Sequence, residues 1–218
     1  MFAEGESMIF LQIIISLLVQ IFALLFLNYT EERKDTAKRL QKWFIAIISF
    51  GLTVVVVIAA RNCSENLLNF TKSMMLYHII YCAAVVDYRM KIIPNIFVAF
   101  GAGFRILCFF FETSWYQNDW KNILIQDFMG FFMGFGVLFL VYLFAKNAIG
   151  MGDIKLFGVI GITCGFQHTY TILFLSVLLA ACYGIFLILF RKQKRDCEMA
   201  FAPFILIGYI SSIIISIL

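Results

Sequence analysis

The chain has 218 residues, of which 63% are apolar and only 14% charged, with a net charge of +4 and a mean hydropathy of +0.95. A soluble globular domain carries about 45–50% apolar and about 25% charged residues, so this chain cannot cover its surface in water. The same figures exclude a disordered chain, collagen, a secreted disulfide scaffold and a nucleic-acid-binding tail, leaving a polytopic membrane protein.

An α-helix needs roughly 20 residues to cross the hydrocarbon of a bilayer. Eight apolar runs fit that need, at about 8–27, 43–60, 74–90, 96–111, 123–145, 152–165, 170–190 and 200–218. The sequence therefore predicts an all-α bundle of about eight transmembrane helices, one domain over 1–218. Acidic Glu4 and Glu6 precede the first run and no small-residue cleavage site follows it. It reads as a span, not as a cleaved signal peptide. The sixth run is short, and the fourth carries Arg105, which needs a partner at that depth.

Lys and Arg accumulate in cytoplasmic loops, so their placement predicts orientation. Thirteen fall in one set of alternating loops (33–42, 89–91, 146–155 and 191–195), against Arg61, Lys72 and Lys121 in the other. Both termini are then outside, and 28–42 is a short basic cytoplasmic loop. Trp115, Tyr116 and Trp120 suit an aromatic belt on the outer side. Topology accounts for the basic loops, so no nucleic-acid partner is expected; the partner implied is the lipid bilayer.

The six cysteines form no C-x-x-C pair, and His78 and His168 stand alone. Neither a metal nor an organic cofactor is expected. Cys63 and Cys164 both fall near the outer face and are the pair a disulfide could join.

Of the thirteen acidic residues, eleven fit loops or span ends with nothing to explain. Asp87 and Asp153 differ. Asp87 ends the apolar stretch Tyr81-Cys-Ala-Ala-Val-Val86, and Asp153 follows Gly150-Met151-Gly152. The topology puts both at cytoplasmic ends, on the third and sixth spans. Carboxylates near membrane depth are costly and are functional candidates by default. Each has a bland alternative: Asp87 as a helix end at the interface beside snorkelling Arg89 and Lys91, Asp153 as an acid favoured at a helix N-terminus.

Two carboxyls in hydrogen-bond range cannot both ionise cheaply, so the pair can act as base and acid together. One would activate a water against a peptide carbonyl while the other protonates the carbonyl oxygen. Gly150 and Gly152 would let an extended substrate backbone approach Asp153. Gly130, Gly134, Gly158, Gly161 and Gly165 read instead as close-packing positions between helices.

The same residues carry a resemblance. Gly150-Met-Gly-Asp153 resembles the G-x-G-D motif of intramembrane aspartyl proteases, in the sub-pattern of the type IV prepilin and preflagellin peptidases. Asp87-Tyr-Arg-Met-Lys-Ile-Ile-Pro-Asn95 is similar to that family's first aspartate motif, with Arg89, Pro94 and Asn95 at matching positions. Lys155 follows the second motif, and Ala202-Pro203-Phe204 resembles the family's Pro-Phe-Gly-Pro-Phe opening of the last span. The likeness covers about 74–218. It implies catalytic Asp87 and Asp153, with Gly150, Gly152, Lys155, Arg89, Pro94, Asn95 and Pro203 as motif and docking residues. It also implies prepilin or pilin-like precursor proteins as substrates, cut at the cytoplasmic face of the cell (inner) membrane. Larger family members insert a domain with paired C-x-x-C motifs, linked to N-methylation, between the first two spans. The corresponding stretch here, 28–42, contains no cysteine, so the chain resembles the short, peptidase-only form. The Pro-Ala-Leu sequence of presenilin-like relatives is absent from the sequence. The competing reading is a small transporter or proton channel relaying cations between two acids, although both acids lie at one face and no internal repeat is visible.

Overall fold

The computed structural model describes residues 11–22, 50–62, 66–114, 120–144, 149–191 and 199–216, and every regular element among them is helical. Two short apolar helices come first, α1 (Leu11–Phe22) and α2 (Phe50–Asn62). Then follow α3 (Leu67–Met90), α4 (Asn95–Ser114), α5 (Trp120–Phe131), a π-helical turn (Phe132–Gly136), α6 (Val137–Phe144), α7 (Met151–Arg191) and α8 (Ala202–Ile215). By length and composition, three helices could cross a membrane: Asn95–Ser114, Trp120–Phe144 and Met151–Leu189. The loop at 28–42, both termini, Cys63, Trp115, Tyr116 and Cys197 lie outside the described residues.

Six consecutive residues of α3, Leu76 to Tyr81, are buried, which at 100° per residue covers the whole circumference. A helix buried all round is the centre of a bundle. Phe70, Met74, Tyr77 and Ile80 of α3 pack with Ile154, Phe157 and Ile160 of α7 and with Ile205 and Tyr209 of α8. Around this inner layer α4, α5 and α6 expose Phe100, Phe110, Phe128 and Phe144, the kind of face lipid covers. On the other side, α1 and α2 join α3 through a polar seam. Ser16 bonds the His78 ring at 2.9 Å, Gln20 bonds Thr53, and Thr53 bonds the Tyr77 hydroxyl at 2.8 Å.

Helix α7 is interrupted at Gly165, whose φ of 73° and ψ of −178° are not helical. A Cβ built at Gly134 would meet both the Phe157 carbonyl and the Thr169 methyl, the latter at 3.2 Å. Twelve residues of straight helix span about 18 Å, so these two groups can meet only if the chain folds back at Gly165. α7 is therefore a helical hairpin, with one arm at 151–164 and the other at 166–191. This corrects one expectation for the glycines. Gly165 has no atom within 4 Å of its Cβ position and is a reversal residue, needed for its positive φ rather than for packing.

Gly130 and Gly161 behave as packing positions: a Cβ on either would collide with the carbonyl oxygen of the other. Gly130→Ala or Gly161→Ala should force α5 and α7 apart and lower stability by about 1–3 kcal/mol or more, as overpacked contacts do. Gly103→Ala, on the exposed face of α4 with nothing within 4 Å, should be neutral or slightly stabilising. Thermal unfolding of the three variants in detergent gives the comparison; equal midpoints would remove the close-crossing argument.

The fourth-span Arg105 is buried and fully engaged. Its guanidinium donates to Glu112 at 2.7 Å, to Asp127 at 2.8 Å and to the Ile162 carbonyl at 2.9 Å, and Lys72 bonds the other Glu112 oxygen. Glu112 and Asp127 thus have a role that their place in the sequence does not suggest. A cavity of about 410 Å³ opens beside this cluster, lined also by His168 and Tyr209. Lys72 lies fifteen residues before Asp87 on α3, so the cluster and that aspartate are separated by about 22 Å along the helix.

Candidate active site

At the other end of α3, Asp87 lies in the last turn beside Arg89, where a cation complements the helix dipole. Lys91 ends the helix in the left-handed conformation, φ 53°, and its N–H donates to the Asp87 carbonyl oxygen at 2.8 Å. Pro94 closes the short connection and α4 begins at Asn95, so the chain turns back within a few residues. Ile93 is buried in that turn.

Asp153 sits in the first turn of α7, its N–H donating to the Gly150 carbonyl at 3.1 Å. The flanking glycines have a local reason. A Cβ at Gly152 would stand 2.9 Å from the Ile93 Cβ, and one at Gly150 would stand 3.0 Å from an Asp153 carboxylate oxygen. Gly152 therefore lets the connection after Asp87 press against the start of Asp153's own helix, a contact within the chain where the sequence suggests one with substrate. A second tie runs from the Lys155 ammonium to the Asn95 side-chain oxygen at 3.0 Å. The two aspartate segments are clamped together twice.

Both carboxyls are withdrawn from solvent, Asp87 at 5% exposure and Asp153 at 9%. They lie within electrostatic reach of one another. The Ala202 N–H donates to Asp87 Oδ2 at 2.9 Å; the Gly150 amide is directed at the Asp153 carboxyl, whose Oδ1 is buried with no hydrogen-bond partner among the described residues. Pro203 is in the first turn of α8, beside that amide, and Phe201 just before it packs against the Phe157 ring, centroids 6.3 Å apart. Arg89 is half-buried, close to Asp87 in sequence. The structure thus brings Asp87, Pro94, Asn95, Gly150, Gly152, Asp153, Lys155 and Pro203 to one end of the bundle. Sequence reasoning missed the Ala202 amide and Ile93, because a backbone donor and a filler side chain leave no chemical signature. No three His, Cys, Asp or Glu side chains converge as metal ligands among the described residues.

The described residues form an all-helical bundle with two buried carboxyls at one end, and its longer helices are of membrane-spanning length and composition. The family model described as "Type IV leader peptidase family" matches residues 73–185, more than half of the chain and inclusive of both aspartates. The chain belongs to the type IV leader peptidase family. It is similar to a "Prepilin leader peptidase/N-methyltransferase" of Bacillus subtilis (strain 168), 32% identical over 131 residues, covering 58% of this chain and 48% of the relative. A protein of the same description from Aeromonas salmonicida (strain A449) is 35% identical over 85 residues, covering 37% and 29%. The chain thus spans less than half the length of these curated relatives. No solved structure matches it.

Proposed function

We propose that this chain is a membrane-embedded aspartyl endopeptidase of the short, peptidase-only form, removing the basic leader from prepilin-like precursors at the cytoplasmic membrane face. The observation that carries the reading is the meeting of buried Asp87 and Asp153 at one end of the bundle. Asp87 as carboxylate takes a proton from water while the water oxygen bonds the scissile carbonyl carbon. Asp153 gives its proton to the carbonyl oxygen. In collapse, protonated Asp87 returns its proton to the leaving amine, Asp153 recovers one from the tetrahedral hydroxyl, and the C–N bond breaks. The pair ends as it began. Arg89 and Gly150 lie beside the acids and are assigned to docking of the precursor; Asn95 and Lys155 keep their mutual bond and hold the two segments in register.

The proposed setting is the inner membrane, with eight spans, both termini outside and the basic loops cytoplasmic. A tag on either terminus should then be reachable from outside intact cells. A tag between Thr36 and Lys38 should be protected until the membrane is opened. A cytoplasmic terminus would overturn this orientation. The activity itself is tested with purified protein in detergent mixed with a candidate prepilin and read as a shift on a gel. No cleavage by well-folded protein, together with cation flux in vesicles, would favour a transporter instead.

A further inference from the structure

The chemistry just proposed needs two carboxyls in unlike states, and α8 supplies an asymmetry between them. Phe201 precedes the helix with helical φ and ψ and offers no side-chain cap. The first amides of a helix have no intrahelical acceptor. Here an acceptor arrives from 115 residues away, since Ala202 N–H donates to Asp87 Oδ2 at 2.9 Å. The Phe201 amide is directed at the same carboxylate, and Pro203 has no N–H to satisfy. Asp87 caps α8 in trans.

We propose that the Ala202 N–H is a positioning group for the hydrolysis, a role that rests on the peptidase reading above. An N–H can only donate, so the oxygen it holds remains an acceptor throughout the cycle. With Oδ2 so occupied, the proton taken from water and returned to the amine travels on Asp87 Oδ1. The carboxylate cannot rotate to exchange its two oxygens without breaking that bond. Asp153 has a backbone donor of its own in the Gly150 amide, but its Oδ1 meets no donor or acceptor of the described chain, and that free oxygen is the one that presents the proton to substrate. The start of α8 therefore sets which oxygen of which aspartate does the base's work.

The test removes one N–H, and weakens as an acceptor only the Phe201 carbonyl that Phe204 and Ile205 bond. Lactic acid in place of Ala202, introduced by nonsense suppression, replaces the amide with an ester. Its kcat for prepilin cleavage should fall about 10- to 100-fold, the range for losing a hydrogen bond to a charged group. KM should stay within about twofold, because the precursor does not touch this amide. Ala202→Gly and Ala202→Ser keep the N–H and, as conservative variants, should retain a kcat well above that of the ester protein. If the ester protein is not monodisperse, Ala202→Pro takes its place, since proline is tolerated in the first position of a helix, with monodispersity checked because Phe201 would have to leave its helical φ and ψ. Unchanged kcat in the N–H-less protein, or equal losses in Ala202→Gly and Ala202→Ser, overturns the positioning role. Asp87→Asn and Asp153→Asn run in parallel. If they cleave, the aspartyl reading has failed and this role with it; if they are inactive while the ester protein is fully active, only the positioning role has failed.

Discussion

Asp87→Asn and Asp153→Asn should each lower prepilin cleavage by about 10³-fold or more, and the double substitution should be hardly worse than either single one. Groups that act as one unit are strongly non-additive, because losing either removes the whole proton circuit. Folding should survive both changes. In Asp87→Asn the new amide keeps one side-chain oxygen to accept the Ala202 N–H, and removing one of two acids at the same end of the bundle relieves repulsion on the other. Initial rates on a gel, with monodispersity measured alongside, decide the matter. Substantial turnover by a well-folded Asp153→Asn protein would sink the aspartyl mechanism.

Arg105→Met should cost far more stability than either aspartate substitution. Buried Glu112 and half-buried Asp127 would lose their shared cation, and breaking a buried pair by removing one partner costs about 3–5 kcal/mol. Combining Arg105→Met with Glu112→Gln and Asp127→Asn should recover much of that loss, because the stranded charges go too. Lys72 can extend its stem toward the surface once Glu112 is gone. Molecules that remain folded should cleave precursor nearly normally, since this cluster lies at the far end of α3 from Asp87. Thermal unfolding in detergent and specific activity per folded molecule are the two readouts. A triple variant no more stable than the single would show that packing, not charge, governs the site.

What the sequence revealed follows from range. Apolar runs are local and long, so composition foretells an all-helical chain, of which three helices are long and apolar enough to cross a membrane. The aspartates were visible because a carboxylate beside apolar residues is conspicuous, and Gly150 and Gly152 marked one of them. Arg105 announced the need for a partner but not its identity. One partner was within reach of local reasoning: Glu112 is seven residues on, two turns along the same helix face. Asp127 and Lys72 come from other helices, and nothing local points to them. Gly165 looked like its neighbours Gly158 and Gly161, because a reversing glycine and a packing glycine are the same letter; only its φ separates them. The Ala202 amide is the least legible contact of all, being backbone.

The reversal at Gly165 also sets a depth. Its first arm, 151–164, rises about 21 Å, as does α8 over its fourteen residues, against a hydrocarbon thickness near 30 Å. On the proposed orientation the turn lies at the outer headgroups, which leaves Asp153 and Ala202 well short of the inner ones. Two neighbouring undersized helices would dimple the inner leaflet and carry water down to the acids, so that the bilayer itself would become part of the proposed hydrolytic chamber. Turnover in vesicles should then slow as acyl chains lengthen, and a rate indifferent to lipid length would mean that water arrives by another route.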